Sequence, residues 1–240
     1  MTGRVAVLMA AYNAEATIES AVASVRRQTM GDFELLVVDD GSTDRTVEVL
    51  AGIDEPRLRV IRQTNAGPAT ARNRGLAESR ADYVACLDAD DLWVPEKLAW
   101  QLAALTAAPQ AGVAYGWADV VDADLVHAYS DRRIRRDGDV YADLLLSNFI
   151  FSGSNTMIRR AALDRLGGFD EAMRAVEDWE LHVRIARHYP FVCVPHLLLR
   201  YRLTEHSLSS RIDLMESSFA HACAKIFAAC LLYTSDAADE

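Results

Sequence analysis

Short apolar runs alternate with longer segments of helical period through the first half of the chain. Arg4–Ala10 reads as a buried strand, Glu15–Gln28 as a helix and Phe33–Val38 as a second buried strand. Thr43–Leu50 resumes as helix, with Ser42 a good N-cap. Leu58–Arg62 and Pro68–Ser79 repeat the strand–helix pair. Tyr83–Leu87 and Pro95–Ala107 repeat it again, with proline in the first turn of the helix. This alternation predicts an α/β fold of right-handed βαβ units around a mostly parallel sheet. Such sheets bind ligands beyond the carboxyl ends of their strands. The polar clusters after Ala10, Val38 and Leu87 are expected along that one edge.

The second half is less regular. Val113–Val121 reads as a strand, Ser130–Val140 as an arginine-rich loop and Phe151–Ile158 as a further strand. Arg160–Leu166 reads as a short helix stopped by Gly167-Gly168, Glu177–His188 as a helix and Phe191–Tyr201 as a strand. Residues 1–212 are expected to form a single domain of two halves, 1–110 and 111–212. A helix starts near Asp213 and leads the tail through 240. The ending from Cys230 resembles translated adapter read-through, so the native protein is expected to continue differently beyond about Ala229.

Composition narrows the classes. Of 240 residues, 51% are hydrophobic, which supports a substantial core without disulfides. The net charge of −10 lacks the basic footprint of a nucleic-acid binder, so no nucleic-acid partner is expected. None of the four cysteines forms a CxxC pair, and Cys86 and Cys193 sit in apolar runs, which favours a reduced compartment. The start has no secretory shape, and Ser218–Tyr233 is interrupted by His221 and Lys225. A cytoplasmic protein follows, with peripheral contact at the inner membrane face left open.

Several clusters carry possible chemistry. Asp88-Ala89-Asp90-Asp91 follows a strand, and alternation in an extended segment would turn Asp88 and Asp90 toward one site. Adjacent like charges need compensation, which Mn²⁺ or Mg²⁺ on a diphosphate would supply; a solvated acidic turn is the plain alternative. Asp39-Asp40-Gly41-Ser42-Thr43-Asp44 ends another strand, and a carboxylate there can accept from a pyrimidine N–H or ribose hydroxyls. Turn and cap chemistry accounts for part of that motif. Arg72, one turn into a helix after Asn65-Ala66-Gly67, is placed to reach a diphosphate, or else is an ordinary surface arginine.

Glu177-Asp178-Trp179-Glu180 opens a helix in which Asp178 shares a face with Leu181 and Ile185. A carboxylate on a buried stripe is unusual unless paired or working. Burial would raise its pKa and the helix N-terminus would lower it, and the sequence leaves the sign open. An acidic first turn accounts for Glu177 and Glu180 without further function. Arg202 and His206 follow the last strand, as phosphate or metal contacts or as solvated groups.

Taken in order, these segments resemble an inverting family 2 glycosyltransferase. The matching pieces are Ala11-Tyr12-Asn13, Val38 to Asp44, Asn65 to Gly75, Leu87 to Asp91, Gly167 to Glu171 and Glu177 to Leu181. The family usually carries proline or threonine close before Tyr-Asn, where this chain has Ala10-Ala11. The resemblance implies a GT-A type three-layer α/β/α sandwich with a nucleotide-sugar-binding half and an acceptor-binding half. It implies that Ala11, Tyr12, Asp39 and Asp40 surround the base, Arg72 contacts the diphosphate and Asp88 faces the ribose. Asp90 would ligate a divalent metal, Mn²⁺ or Mg²⁺, and Asp178 would be the catalytic base. Glu177, Arg202 and His206 would contact acceptor or phosphate. The donor would be a nucleotide sugar, with UDP ahead of GDP and dTDP. The acceptor would be a glycan, lipid-linked or other hydroxyl, in a pocket shaped by the loops at 130–140 and 149–155. A non-catalytic sugar-nucleotide-binding relative or a truncated product is the alternative. A nucleotidylyltransferase or a Rossmann dehydrogenase would need a glycine-rich loop where Tyr12-Asn13-Ala14-Glu15 stands. A receiver-type switch would leave the motifs after Asp91 without a role.

Overall fold

The structure, a computed structural model, describes residues 5–204 and 210–236. The first half follows the predicted alternation: β1 (Val5–Ala11), α1 (Ile18–Arg26), β2 (Phe33–Asp39), α2 (Thr46–Ala51), β3 (Leu58–Arg62), α3 (Pro68–Glu78) and β4 (Tyr83–Cys86). β1 pairs in parallel with both β2 and β4, and β2 with β3. The register sets Ala11 beside Asp39, and the Leu87 N–H donates to the Leu8 carbonyl at 2.9 Å. The chain therefore leaves β1, β2 and β4 along a single edge, as expected from the polar clusters. Strand order reverses between β1 and β4, the kind of switch point where open α/β sheets bind ligands.

The second half adds β5 (Leu92–Trp93), α4 (Lys97–Ala107), β6 (Val113–Val121), β7 (His127–Ser130), α5 (Tyr141–Leu146), β8 (Met157–Arg159), α6 (Arg160–Leu166), α7 (Glu177–Ala186), β9 (Phe191–Arg202) and α8 (Ile212–Asp236). The sheet runs β3-β2-β1-β4-β8-β6-β9-β5, with β7 on β6. Only the β6–β9 pairing is parallel here; β8 opposes both neighbours and β5 opposes β9. The sheet is thus parallel through its first half and mixed through its second.

Alternate residues of β1 feed two cores. Val5, Val7 and Met9 pack with Ile18 of α1, Leu50 of α2 and Leu98 of α4. Ala6 and Leu8 face the other way, into a core shared with Ala69 of α3, Leu163 of α6, Leu181 of α7 and Ile226 of α8. Helices on both faces explain why these strands read as continuous apolar runs. Gly75 lets α3 approach β1, since a Cβ there would stand 3.1 Å from Leu8 Cδ2. Among the described residues no helix is long and apolar enough to cross a membrane.

Two local expectations are corrected. Phe151–Ile158 is not one strand: Gly153–Asn155 forms a 3-10 turn and only Met157–Arg159 joins the sheet. Phe151 has φ of 79°, and the Asn155 amide donates to the Gly116 and Ile150 carbonyls, which holds the segment out of an extended form. Ser42 does not cap α2. Its Oγ accepts the Asn13 N–H at 3.0 Å, while Asp44 takes the Thr46 N–H at 2.9 Å.

Candidate active site

The donor edge begins at the end of β1. Ala11 is buried, and its carbonyl accepts the Asp40 N–H at 2.8 Å. Asn13 follows at φ 49°, in the left-handed region that asparagine tolerates. Its Oδ1 accepts the Thr43 N–H at 2.8 Å. This turn presents Tyr12 to solvent, 52% exposed, as a base-stacking ring would need to be. Asp39 is fully buried; its Oδ1 accepts the Ser42 N–H, while Oδ2 has no hydrogen-bond partner. The nearest cation to that oxygen is Arg62 Nε at 3.5 Å. A buried acceptor without a donor costs roughly 1–3 kcal/mol, so Asp39 suits a ligand N–H.

Asp40, the residue after β2, is engaged by the loop that opens α3. Its carboxylate accepts from Gln63 Nε2 at 2.7 Å and from the Ala66 and Gly67 N–H groups at 2.9 and 2.8 Å. With both oxygens occupied, it shapes the loop that opens α3.

Asp88 and Asp90 do come together, for a different reason than alternation. The Asp91 N–H donates to the Asp88 carbonyl at 3.1 Å, closing a turn that crowds the acids. The Asp88 N–H is fixed by Ser154 Oγ at 3.0 Å. Burial, reinforced by the charge of Asp88, pushes Asp90 up to about 6. Among the described residues no other side chain bonds to the Asp90 carboxylate. Asp91, fully buried, is also raised by burial and by its two acidic neighbours, and it accepts the Arg202 N–H at 3.0 Å. Arg202 donates to Ser20 Oγ at 2.8 Å, and its Nε is buried without a partner. A desolvated, repelled and unpaired carboxylate fits a divalent cation. Among the described residues no three His, Cys, Asp or Glu side chains gather into a cage, so phosphate oxygens would have to complete the coordination.

Arg72 sits between these acids and α7. It is buried, and its two terminal nitrogens donate to Glu177 Oε1 and Asp88 Oδ1. The guanidinium lies 5.4 Å from the Phe169 ring centre. An arginine so engaged braces the site from within, with its Nε buried and without a partner among the described residues. Glu177 is the buried partner of Arg72. His206 lies outside the described residues.

Asp178 occupies the first turn of α7. Burial raises its pKa, and Arg72 and the backbone N–H of Trp179 only partly oppose the rise. Its Oδ1 accepts the Trp179 N–H at 2.7 Å. Val176 precedes the helix at φ 54°, ψ 20°, a left-handed conformation rare for a β-branched residue. Such strain typically costs ~1–3 kcal/mol and persists only where surroundings enforce it. The surroundings here include Trp179, whose Nε1 donates to the Leu144 carbonyl at 2.9 Å and whose ring stacks on Phe219 of α8 at 5.0 Å.

The loop at 149–155, expected to shape the acceptor pocket, ends in the 3-10 turn Gly153–Asn155. Gly153 abuts Asp178, since a Cβ on it would stand 3.1 Å from Asp178 Cβ. Ser154, the next residue, anchors Asp88. One turn therefore touches both the donor-edge acid and the acid of α7. The only sequence signal was Gly153-Ser154-Asn155 interrupting an apolar run.

Known proteins resemble this chain in sequence and in fold. The profile of glycosyl transferase family 2 matches residues 6–167. The beta-1,3-glucosyltransferase WfgD of Escherichia coli, named for UDP-Glc and alpha-D-GlcNAc-diphosphoundecaprenol, is 38% identical over 99 residues, 41% of this chain and 39% of its own length. Staphylococcus aureus TarS 1–349 in complex with UDP-GlcNAc superposes with a TM-score of 0.72 at 24% identity, covering 86% of this chain and 60% of that one. A Pyrobaculum calidifontis mannosyltransferase in complex with GDP-Man and Mn²⁺ gives a TM-score of 0.72 at 22% identity, covering 95% and 65%. The chain spans less than two thirds of the length of each of these relatives. The profile match over most of the chain, the GT-A sheet and the strand-end acids together place this protein in glycosyltransferase family 2.

Proposed function

We propose that the chain transfers one sugar from a UDP-sugar to an acceptor hydroxyl, with inversion at the anomeric carbon. The observation that carries this reading is the placement of Asp178. It is a desolvated carboxylate, tied through Glu177 and Arg72 to the donor-edge acid Asp88. Asp39 would accept the base N–H, Tyr12 would cover the ring, and Asp88 would face the ribose. Asp90 would hold Mn²⁺ or Mg²⁺, which when bound neutralises charge on the departing diphosphate. Arg202, with a free buried Nε beside Asp90, would add to that neutralisation. Asp178 would take the proton from the acceptor hydroxyl as it attacks opposite the nucleotide. The diphosphoundecaprenol-linked acceptor in the name of WfgD supports a glycan on a lipid carrier as the acceptor.

Calorimetric titration of UDP with Mn²⁺, then with EDTA, tests the nucleotide site. Saturable binding that disappears in EDTA is expected. Metal-independent binding would remove Asp90 from its role. Binding without transfer across a donor panel would make the chain a sugar-nucleotide-binding relative.

A further inference from the structure

We propose that the cleft between residues 172–174 and α8 binds a phosphoryl group carried by the acceptor. The inference rests on the glycosyltransferase reading and adds a recognition site to it. The cleft holds about 160 Å³ and is lined by Met173, Arg174, Leu214, Ser217, Ser218 and His221. At ~30 Å³ per water that is room for about five waters, enough for a phosphate and too little for a nucleotide sugar.

Three observations point to an anion. Arg174 is exposed and has no hydrogen-bond or ion-pair partner among the described residues. Ser218 is only 6% exposed, lines the cleft, and its hydroxyl likewise lacks a partner among the described residues. Two nearby acids already hold cations: Lys225 Nζ lies 2.6 Å from Asp170 and 2.9 Å from Glu180, and Arg184 lies 2.7 Å from Glu180. An arginine, an imidazole and two serine hydroxyls thus line a small cleft whose two neighbouring buried or half-buried acids already hold cations.

The location fits an acceptor. Phe219, between the lining residues Ser218 and His221, stacks on Trp179, the neighbour of Asp178. Arg174 Nη1 reaches to 3.9 Å from where a Cβ on Gly67 would stand, on the loop leading into α3. The cleft is thereby linked through α8 to the first turn of α7, which carries the proposed base.

The test uses the full chain labelled with ¹⁵N, in EDTA, titrated with inorganic phosphate and separately with phosphatidylglycerol vesicles. Saturable shifts at Arg174, Ser218 and His221 are expected with phosphate. Arg174→Gln and Ser218→Ala should each weaken that binding at least tenfold while leaving UDP affinity unchanged. Arg174-dependent vesicle binding would support the site with a lipid headgroup as the source, and phosphate binding alone would support a soluble phosphorylated acceptor. Failure of both probes to reach these residues would overturn the proposal. So would an equal loss of UDP affinity in Arg174→Gln, which would assign the arginine to the donor. If UDP itself does not bind, the donor reading fails while the phosphate titration still reports on the cleft.

Discussion

Arg72 and Glu177 stand 105 residues apart in the chain and share a buried ion pair. The same guanidinium reaches Asp88, so one side chain ties the end of β4 to the start of α7. Removing it leaves two carboxylates without their cation. Breaking a buried pair from one side typically costs ~3–5 kcal/mol, whereas replacing both partners by apolar groups costs far less. Arg72→Ala is therefore expected to lower unfolding free energy by about that amount in urea. Arg72→Met combined with Glu177→Leu should recover a substantial part of it. Strictly additive losses in the double variant would contradict the brace.

Asp90 carries the opposite signature. Burial and Asp88 raise its pKa to about 6, so its charge at neutral pH opposes folding. Asp90→Asn should stabilise the metal-free protein by something on the order of 1–3 kcal/mol, since each pKa unit corresponds to 1.36 kcal/mol. The same variant should lose Mn²⁺-dependent UDP binding, a trade of function against stability. Thermal melts with and without Mn²⁺ read both effects, and an unchanged metal-free Tm would argue against the repulsion.

The pH dependence follows from the same group. A carboxylate with a raised folded pKa gains stability contribution as pH falls through that value, so the metal-free protein should become more stable from pH 7 toward 5.5. Protons then compete with the cation, and metal-dependent UDP affinity should fall about tenfold per pH unit below 6. Asp178 is raised as well, so the acid limb of kcat/KM should lie above the ordinary aspartate value of about 3.9. A flat UDP affinity between pH 7 and 5 would remove Asp90 as the ligand.

Gly153 is a sharper probe of geometry. A methyl there would sit 3.1 Å from Asp178 Cβ, so Gly153→Ala should shift the carboxylate by a few tenths of an ångström. Small misplacements of reacting groups can reduce turnover by ~100-fold. Reduced kcat with unchanged UDP affinity is the expected pattern, read by steady-state kinetics beside calorimetry.

The strands of the first half were legible because both faces of that sheet are covered, which leaves uninterrupted apolar runs such as Leu35–Val38. The edge where the polar clusters meet followed from the parallel order. The second half was harder: β5 has two residues and β7 is wholly exposed, so neither carries a period. Asp88, Asp90 and Asp178 were legible as acids at element ends. The tie between Arg72 and Glu177 was not, because nothing local in either segment records a partner so distant in the chain. The loop at 149–155 was read as part of the site, but its 3-10 form was hidden for a related reason, since the bonds of Asn155 that hold it run to Gly116. The positive φ of Phe151 and of Val176 is enforced by packing and has no residue signature.

The most direct test of the central claim is the turnover of Asp178→Asn with a UDP-sugar, measured beside its affinity for UDP and Mn²⁺. Loss of the general base is expected to lower kcat by ~10²–10⁴-fold while binding stays within about twofold of the parent. Near-normal turnover in that variant would contradict Asp178 as the base and the mechanism built on it.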